Sequence, residues 1–462
     1  MKLPAYPHTK PSGVEWLGDV PEHWAHIALR RTSTRYAGGT PDRSNDSYWD
    51  EGTIPWINSG AVNQGLITEP SAFITEEAYR NSSARWVAKG ALVMALAGQG
   101  KTKGMVAQTG IATTCNQSMA AICPAPPMEA RYLYWLLVAQ YEHIRNMAGG
   151  EARDGLNLEI LGAIPCLKVP PAEQRSIAAF LDRETGRLDR LVAKKRELIE
   201  RLKEKRTALI SRTVTRGLPP AAHAAGLPAN PTLKPSALDW LGDIPKHWAV
   251  LTLRRSIEFL TDYEANGSFA DTKENVTIDS GEPFAWYVRA TDLENKRAGL
   301  VEGNRYCDES TYRWLSKTAL KGGELLVAKR GEIGKVYVMP IVACSATLAP
   351  NLYLIRLNRR LLPRYAWYWF SADPGNAELV LADKSTTIGA LYKDDVKACF
   401  VLMPPLPEQA AIAAYLDLET AKLDALVGKV EEAVERLQEY RTALITAAVT
   451  GKIDVRKEVA HA

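Results

Sequence analysis

The sequence lacks an uninterrupted apolar run of about 18 residues, the minimum for a membrane-spanning helix. Its first ten residues contain no apolar stretch of the kind that marks a secretory signal. Its six cysteines are scattered, and no Cys-x-x-Cys pair offers the spacing of a zinc site. We therefore expect a cytoplasmic protein with reduced thiols, no metal and no membrane association.

Catalytic signatures are also scarce. Ala95–Thr102 (ALAGQGKT) resembles a phosphate-binding loop, but alanine replaces its first glycine and the following residues predict a strand instead of the required helix. Neither Pro170-Pro171 nor Pro404-Pro405 is followed by the aromatic residue of an adenine-methyltransferase motif. These absences argue against nucleotide hydrolysis or methyl transfer by this chain, whereas nuclease motifs are too loose to be excluded.

The net charge is modest. A value of +4 permits nucleic-acid binding without arguing for it, so the local distribution of charge must decide. The length of 462 residues predicts about three folding units. A composition of 46% hydrophobic and 24% charged residues is typical of globular proteins.

The chain contains an internal duplication. An opening segment with the core WLGD-[VI]-P-x-HW occurs at Lys10–Arg31 and again at Lys234–Arg255. A second element, which begins with PP, continues through EQ and ends RTALI-x-x-x-VT, occurs at Pro170–Thr215 and Pro404–Thr450. Such a repeat predicts two copies of one scaffold about a pseudo-two-fold axis. We expect Trp16, Trp24, Trp240 and Trp248 to anchor the opening segments, and His23 and His247 to be structural.

Each repeat ends in a strong helix signal. Apolar residues recur at steps of three, four and seven in each copy, which predicts a helix of about 35 residues with a coiled-coil seam. Two such seams in one chain favour antiparallel pairing as a rigid spacer. The basic residues of the first helix are interpreted as a solvated face, with phosphate contact as the alternative. The predicted seam residues are Leu181, Leu188, Leu191, Leu198, Leu202 and Leu209, then Leu416, Leu423, Leu426, Val430, Ala433, Leu437, Tyr440 and Leu444.

The two blocks between these repeats share little sequence. They span about Thr32–Cys166 and Ser256–Cys399, and each mixes short strand-like and helical runs, which predicts a small α/β domain. Divergent inserts on one scaffold suggest two similar tasks on two different targets, although simple drift is the alternative. The predicted strands are 53–57, 91–97, 324–328, 335–339 and 352–357, and the predicted helices are 132–144 and 364–370.

Glycine turns with basic neighbours recur at similar places in the two blocks. Gly98–Gly104 and Lys329–Lys335 each follow an apolar strand and precede another strand. Glycine allows close approach of the backbone, and lysine or arginine reaches phosphates or guanine edges, although an ordinary hairpin gives the same pattern. The candidate DNA contacts in these turns are Gln99, Lys101 and Lys103, then Lys329, Arg330 and Lys335. Further candidates in polar loops are Asn116, Gln117, Arg153, Lys384 and Thr386.

The order of the repeated elements resembles the specificity subunit of type I restriction–modification systems, and the resemblance extends over essentially the whole chain. It implies a mixed α/β fold in which two target recognition domains are joined by two long antiparallel helices. Each domain would recognise one half of a bipartite double-stranded DNA site, and the helices would set the gap. The resemblance further implies docking of two modification subunits that bring S-adenosylmethionine, and restriction subunits that use ATP and Mg²⁺, so this chain itself binds no cofactor.

We accordingly predict four parts. Residues 1–165 form the first recognition domain, 166–217 the first spacer helix, 218–399 a linker and the second recognition domain, and 400–462 the second helix and tail. Two other hypotheses are a self-sufficient DNA-modifying or restricting enzyme, which needs its own catalytic motifs, and a coiled-coil adaptor without a DNA role.

Overall fold

The computed structural model describes residues 3–98, 101–147, 155–220, 231–382 and 390–458. The chain divides into two compact units. Unit 1 combines Met1–Arg196 with Glu431–Ala462, and unit 2 comprises Glu197–Val430. Each unit therefore contains one variable block together with part of each long helix.

Unit 1 contains short strands and helices followed by a long helix. Its strands are β1 (Thr9–Pro11), β2 (Asp19–Pro21), β3 (Ala25–Ala28), β4 (Ser33–Ala37), β5 (Ile54–Ile57), β6 (Leu66–Ile67), β7 (Ala72–Ile74), β8 (Trp86–Val87), β9 (Leu92–Ala95), β10 (Val106–Thr109), β11 (Thr113–Cys115), β12 (Met119–Pro124) and β13 (Pro165–Lys168). Its helices are α1 (Glu76–Arg80), α2 (Ala130–Ala139), α3 (Tyr141–Asn146), α4 (Leu158–Ala163) and the first part of α5 (Pro171–Arg216).

Unit 2 repeats this organisation. Its strands are β14 (Leu233–Pro235), β15 (Asp243–Pro245), β16 (Ala249–Thr252), β17 (Ile257–Asp262), β18 (Ala285–Val288), β19 (Arg305–Cys307), β20 (Ala319–Leu320), β21 (Leu325–Ala328), β22 (Val336–Val338), β23 (Ser345–Leu348), β24 (Leu352–Leu357) and β25 (Phe400–Met403). Its helices are α6 (Phe269–Asn275), α7 (Ala290–Glu294), α8 (Glu309–Trp314), α9 (Pro363–Ser371), α10 (Asp373–Leu381), α11 (Lys393–Ala398) and the first part of α12 (Leu406–Val449).

The two variable blocks share a sheet topology that their sequences do not reveal. The first sheet has the order β4-β12-β9-β10-β6 in unit 1 and β17-β24-β21-β22 in unit 2. The second has the order β7-β5-β11-β8 in unit 1 and β19-β18-β23-β20 in unit 2. In each second sheet the central pair is parallel, and the flanking pairs are antiparallel. The blocks are thus two versions of one mixed α/β domain.

Helix α2 closes the first domain against the long helix. Tyr132, Leu133 and Leu136 are fully buried in a core that also includes residues of α5 and α12. The sequence predicts one helix over 132–144, but the structure has two, because the chain leaves helical geometry at Gln140. The buried Gln140 amide donates a hydrogen bond to the carbonyl of Pro165 (2.9 Å), which ties this break to β13.

Both long helices exceed the predicted 35 residues. Helix α5 has 46 residues and α12 has 44, lengths that correspond to about 69 and 66 Å. Pro171 and Leu406 are already helical, and the EQ pairs belong to the first turn. Proline is well suited to that position, since a first-turn amide has no partner inside the helix.

Within each unit the two long helices run antiparallel. In unit 1, Arg441 of α12 donates to Asp189 of α5 (2.9 Å), and Arg183, earlier in α5, donates to the carbonyl of Glu458 (3.2 Å), which follows α12. The chain therefore runs in opposite directions along the two helices. In unit 2, Arg206 donates to Asp424 (3.0 Å), while residues nearer the end of α5 share a core with the start of α12. The predicted antiparallel pairing is confirmed.

The predicted seam is wrong at four positions. Leu191 and Leu198 are 38% and 42% exposed, whereas the adjacent Val192 and Ile199 are buried. Likewise, Leu426 and Tyr440 of α12 are 44% and 50% exposed, and Val434 is buried. A heptad seam admits one of two neighbouring apolar residues, and here the β-branched residue takes the inner position.

A buried glutamate in each repeat holds the opening segment on the long helix. The Glu173 carboxylate accepts hydrogen bonds from Tyr6 Oη (3.0 Å) and Trp24 Nε1 (3.2 Å) and lies 2.8 Å from His23 Nε2. Burial and the nearby carboxylate raise the pKa of the Tyr6 phenol above its ordinary range.

The corresponding glutamate of unit 2, Glu408, lies 2.8 Å from His247 Nε2 and accepts from Trp248 Nε1 (3.1 Å). The predicted structural role of the two histidines is thereby confirmed.

The next residue in each repeat holds the variable domain. The buried Gln174 amide accepts from the backbone N–H of Glu129 (2.7 Å) and donates to the carbonyls of Pro127 (3.1 Å) and Val169 (2.8 Å). In unit 2, Gln409 makes the equivalent set with Leu362 N, Arg360 O and Pro404 O, each at 2.9 Å. The EQ pair therefore attaches both the opening segment and the variable domain to the long helix. We call this pair, with its hydrogen-bond partners, the EQ joint.

The tryptophans of the opening segments do not share one role. Trp24 and Trp248 are buried at the EQ joints, as predicted. Trp16 is half-buried and lies against His143, with ring centroids 5.8 Å apart. The predicted anchoring role of Trp240 is wrong, because its side chain is 45% exposed.

The helix register yields a matched test at two adjacent residues. We expect Ile199→Ala to lower the free energy of unfolding by about 2 kcal/mol, because a buried seam residue is truncated. Leu198→Ala should change it by less than about 0.5 kcal/mol, since Leu198 is largely exposed. Urea unfolding of both purified variants measures the difference, and equal losses would contradict the observed register.

Candidate nucleic-acid interface

The two predicted glycine turns are equivalent hairpins. Lys101–Gly104 lies between β9 and β10, and Lys329–Lys335 connects β21 to β22, at matching positions in the two sheet orders. Residues 106–109 form a strand, as predicted, so the segment that follows Ala95–Thr102 is not the helix that a phosphate-binding loop must open.

In unit 1 the predicted polar segments meet at one edge of the first sheet. Leu96 N donates to Ser118 O (2.8 Å), which joins the hairpin to the turn that carries Asn116 and Gln117. Leu156 N donates to Leu96 O (2.8 Å), so the end of the third segment also lies there. Gln99 and Arg153 lie outside the described residues.

Unit 2 assembles the same edge. Lys329 N donates to Asn351 O (2.8 Å), and Leu391 N donates to Lys329 O (3.0 Å). Arg330 forms an isolated bridge with Ala390. The hairpin, the β23–β24 turn and the segment that begins at Ala390 therefore lie together, whereas Lys384 and Thr386 lie outside the described residues.

The lysines of the first hairpin differ in exposure. Lys101 is exposed, and its carbonyl accepts a hydrogen bond from Tyr141 Oη (2.5 Å), which fixes the backbone while leaving the side chain at the surface. Lys103 is buried. Gly104 has φ = +84°, and a Cβ there would lie 3.4 Å from the backbone N of Arg145, so the turn favours glycine.

Asn116 and Gln117 lie beside this hairpin and differ in exposure and in hydrogen bonding. Gln117 is exposed, and its Oε1 accepts a hydrogen bond from the Thr40 hydroxyl. The Oδ1 of Asn116 is buried and has no hydrogen-bond partner among the described residues. A buried acceptor without a partner is energetically costly, which distinguishes this amide from the other polar groups of the turn.

Lys329 lies inside the second domain. Its ammonium is 2.7 Å from Asp262 Oδ2 and 2.8 Å from Glu264 Oε1, and Lys393 approaches the other Asp262 oxygen at 2.8 Å. Burial raises the pKa of Asp262, but hydrogen bonds from the two lysines outweigh it, so the net pKa lies below the ordinary value. These contacts give Lys329 a structural role, while a DNA contact by Lys329 stays a prediction.

Arg330 and Lys335 occupy the exposed part of the same hairpin. Lys335 Nζ bonds Glu294 (2.7 Å) and Glu332 (2.5 Å), and these two carboxylates raise its pKa. Arg330 is exposed and follows directly after the buried ion-pair cluster. Among the three predicted residues of this hairpin, Arg330 is the best placed to reach a ligand.

Arg43 is a further candidate contact, which the sequence patterns did not predict. The Arg43 guanidinium lies over the rings of Trp49 (5.5 Å) and Trp56 (5.4 Å), and Trp56 Nε1 donates to the carbonyl of Gly39 (3.1 Å). Thr40, on the same segment, contacts Gln117. A basic residue with nearby tryptophans in sequence was the available signal.

Burial disfavours the thiolate form of several cysteines. All six cysteines are free, and burial raises the pKa of Cys115, Cys166 and Cys399 to about 12. Over the described ranges, no cluster of His, Cys, Asp and Glu is suited to hold a metal ion. None of the helices in the described part of the chain combines the length and apolarity needed to cross a bilayer.

Comparison with known proteins agrees with the predicted family resemblance. The family model "Type I restriction modification DNA specificity domain" matches residues 33–201. The EcoKI specificity subunit of Escherichia coli K12 is 22% identical over 457 residues, which cover 94% of this chain and 90% of that subunit. These matches support the predicted recognition of the chain as a type I specificity subunit. Such a subunit recognises DNA and is not catalytic, as predicted.

Other comparisons agree. The E. coli EcoR124I/EcoR124II specificity subunit is 28% identical over 103 residues, 22% of this chain and 26% of that one. A chain from a structure described as showing assembly and conformational transition of the type I R-M system has a TM-score of 0.70 at 15% identity, covering 93% and 98% of the two chains. The HsdS subunit of Thermoanaerobacter tengcongensis gives 0.52 at 15% identity, over 94% and 98%. These structures confirm the predicted fold class.

Two adjacent residues separate structural from binding roles. We expect Lys329→Met to lower the free energy of unfolding by about 2 kcal/mol, because it removes one of the two ammonium groups that bond the buried Asp262 carboxylate. Arg330→Ala should leave stability within about 0.5 kcal/mol but weaken DNA binding about tenfold. Urea unfolding and DNA titration of both variants measure this, and a DNA-binding loss in Lys329→Met without loss of stability would reverse the assignment.

Proposed function

We propose that this specificity subunit recognises a bipartite double-stranded DNA sequence, with the edge of the first sheet in each domain contacting one half-site. The observation that supports this is a common framework with different side chains. Both edges combine a glycine hairpin, a turn and a loop segment, but unit 1 presents Lys101 and Gln117 where unit 2 presents Arg330. Such an arrangement suits two domains that recognise different bases in the same manner.

The candidate side chains fall into two classes. Exposed cations such as Lys101 and Arg330 can contact phosphates or guanine, and arginine can bind the O6 and N7 atoms of guanine together. The amide groups of Asn116 and Gln117 can bind the N6 and N7 atoms of adenine. Lys103, Lys335, Gln99, Arg153, Lys384 and Thr386 remain proposed contacts on the same reasoning.

The proposed division of the chain keeps four parts: recognition domains at 1–165 and 218–399, and spacer helices at 166–217 and 400–462. The length of α5 and α12 and their antiparallel packing in each unit support a role as a spacer that fixes the gap between half-sites. Each domain also joins the scaffold at adjacent strands, because Leu29 N donates to Ile164 O (2.9 Å) and Leu253 N to Cys399 O (2.8 Å).

We further propose that the exposed apolar residues of the long helices bind two modification subunits. Leu191, Leu198, Leu426 and Tyr440 are apolar yet lie outside the seam, which leaves them available to partner helices. S-adenosylmethionine, ATP and Mg²⁺ would belong to the modification and restriction subunits, and the complex would work in the cytoplasm.

An exchange of the first block tests recognition. The block Thr32–Ile164 is replaced by the corresponding block of a related subunit, and the chain is expressed with its modification subunit in a host without adenine methylation. We expect the parent to create one bipartite methylation motif, and the exchange to change one half only, because each domain acts separately. Sequencing that detects methyladenine measures both motifs.

The control is expression of the modification subunit alone, which should give no motif. A change in both halves would contradict independent recognition. Absence of any motif, despite a soluble complex that contains both proteins, would contradict the proposed function and favour an adaptor.

A second test concerns docking. We expect Leu191→Glu and Tyr440→Glu to weaken binding of the modification subunit by about tenfold or more, since each places a charge in an apolar contact. Ile341→Glu is the matched control, because Ile341 is 88% exposed and lies in the second recognition domain. Titration of the purified subunits measures the affinities, and an equal effect of all three substitutions would contradict docking at the helices.

A further inference from the structure

A second contact between recognition domain and long helix recurs in both units. In unit 1, Asp182 Oδ1 accepts hydrogen bonds from Arg131 Nε (2.8 Å) and Trp135 Nε1 (2.8 Å). In unit 2, Asp417 Oδ1 accepts from Arg364 Nε (2.8 Å) and Tyr368 Oη (2.7 Å). We call each set, one carboxylate with its arginine and aromatic donor, the aspartate latch.

The arginine of each latch is also held by aromatic rings. Arg131 lies over the rings of Tyr134 (4.4 Å) and Trp135 (5.2 Å), and Arg364 lies over those of Trp367 (4.4 Å) and Tyr368 (5.3 Å). Stacking removes rotamer freedom from the guanidinium, so the direction of the ion pair is fixed.

The latch is the second of two attachment points. Asp182 follows the EQ-joint residue Gln174 by eight residues on α5, and Asp417 follows Gln409 by the same interval on α12. Eight helical residues correspond to about 12 Å. The apolar cores that α2 and α9 share with the long helices limit large movements, and two polar attachments at this separation also limit a small tilt of the domain helix on the long helix.

The surroundings allow such a tilt. Each latch borders an open cleft within its own unit, of 690 Å³ at Asp182 and 510 Å³ at Asp417. The latch side chains are partly exposed, at 33% and 42% for Arg131 and Asp182. Partly exposed ion pairs contribute little to folding stability, so orientation is the property that this pair can control.

We propose that the aspartate latches set the gap length that the subunit accepts, by fixing the angle of each recognition domain on its spacer helix. This inference rests on the proposed bipartite recognition. A domain of this size is about 30 Å across, so a rotation of about 6° displaces its far edge by about one base-pair rise, 3.4 Å. A small rotation of the domain at the latch would therefore change the accepted gap length by about one base pair.

The test measures gap tolerance directly. A set of plasmids carries both half-sites at the parent gap and at gaps one base pair shorter and longer. Each is methylated in cells by the complex of the modification subunit with the parent chain, Asp182→Ala or Asp417→Ala. Glu197→Ala, which removes an exposed contact to Arg201 on the same helix, is the matched control.

We expect the parent and Glu197→Ala to methylate the parent gap selectively. Each latch variant should reduce the preference for the parent gap about three- to tenfold, the range expected for loss of one charge-assisted contact. The half-site bases should not change, because the edges that contact DNA are untouched. A merely structural role would lower methylation at all gap lengths in the same proportion.

The outcomes separate the two proposals. A parent chain without any bipartite motif would overturn the proposed function. A parent motif with unchanged gap preference in both latch variants would overturn the latch inference alone. If a variant gives too little methylation to compare, Arg131→Met, which keeps the carboxylate and most of the arginine stem, is measured in purified complexes by DNA affinity at the three gaps. Equal weakening at all gaps would likewise overturn the inference.

Discussion

The buried EQ joint is the interaction on which the rest of each unit depends. In unit 1 the glutamate accepts a hydrogen bond from the tryptophan indole of the opening segment. The neighbouring glutamine accepts one from the backbone at the start of the domain helix and donates one to the backbone just before the long helix. Glu408 and Gln409 are 4% and 0% exposed, so their polar groups have no water to replace these partners. Because unsatisfied buried groups are costly, three separate segments are held in one arrangement.

A polar joint of this kind permits what an apolar core would not. Its hydrogen bonds are made largely to backbone groups and to a few repeated side chains, so the variable blocks supply only a carbonyl and an amide to it. The side chains of the sheet edge can then differ completely without disturbing the attachment. This separation explains how Lys101 and Arg330 can occupy equivalent hairpins of domains with little common sequence.

The sequence predicted the architecture better than the contacts. The duplicated motifs predicted two domains and two antiparallel helices, and β24 was placed residue for residue. The predicted seam was wrong at Leu191 and Leu198 because each has an apolar neighbour in the sequence, and hydrophobicity alone does not show which of the two neighbours is buried. Lys329 shows the same limit, since its partners Asp262 and Glu264 lie more than sixty residues away in the sequence.

The physical requirements of attachment and of recognition also explain why each unit contains an aspartate latch in addition to its EQ joint. Recognition of different bases requires exposed groups that are free to change, whereas a constant gap requires a domain that does not tilt. The EQ joint meets the second requirement only in part, because its hydrogen bonds to α2 and α9 lie at the N-terminal ends of those helices. A further polar attachment along each helix adds a directional constraint to the apolar packing that α2 and α9 already make with the long helices. The repeated aspartates at Asp182 and Asp417 supply it with side chains that play no part in the sheet edge.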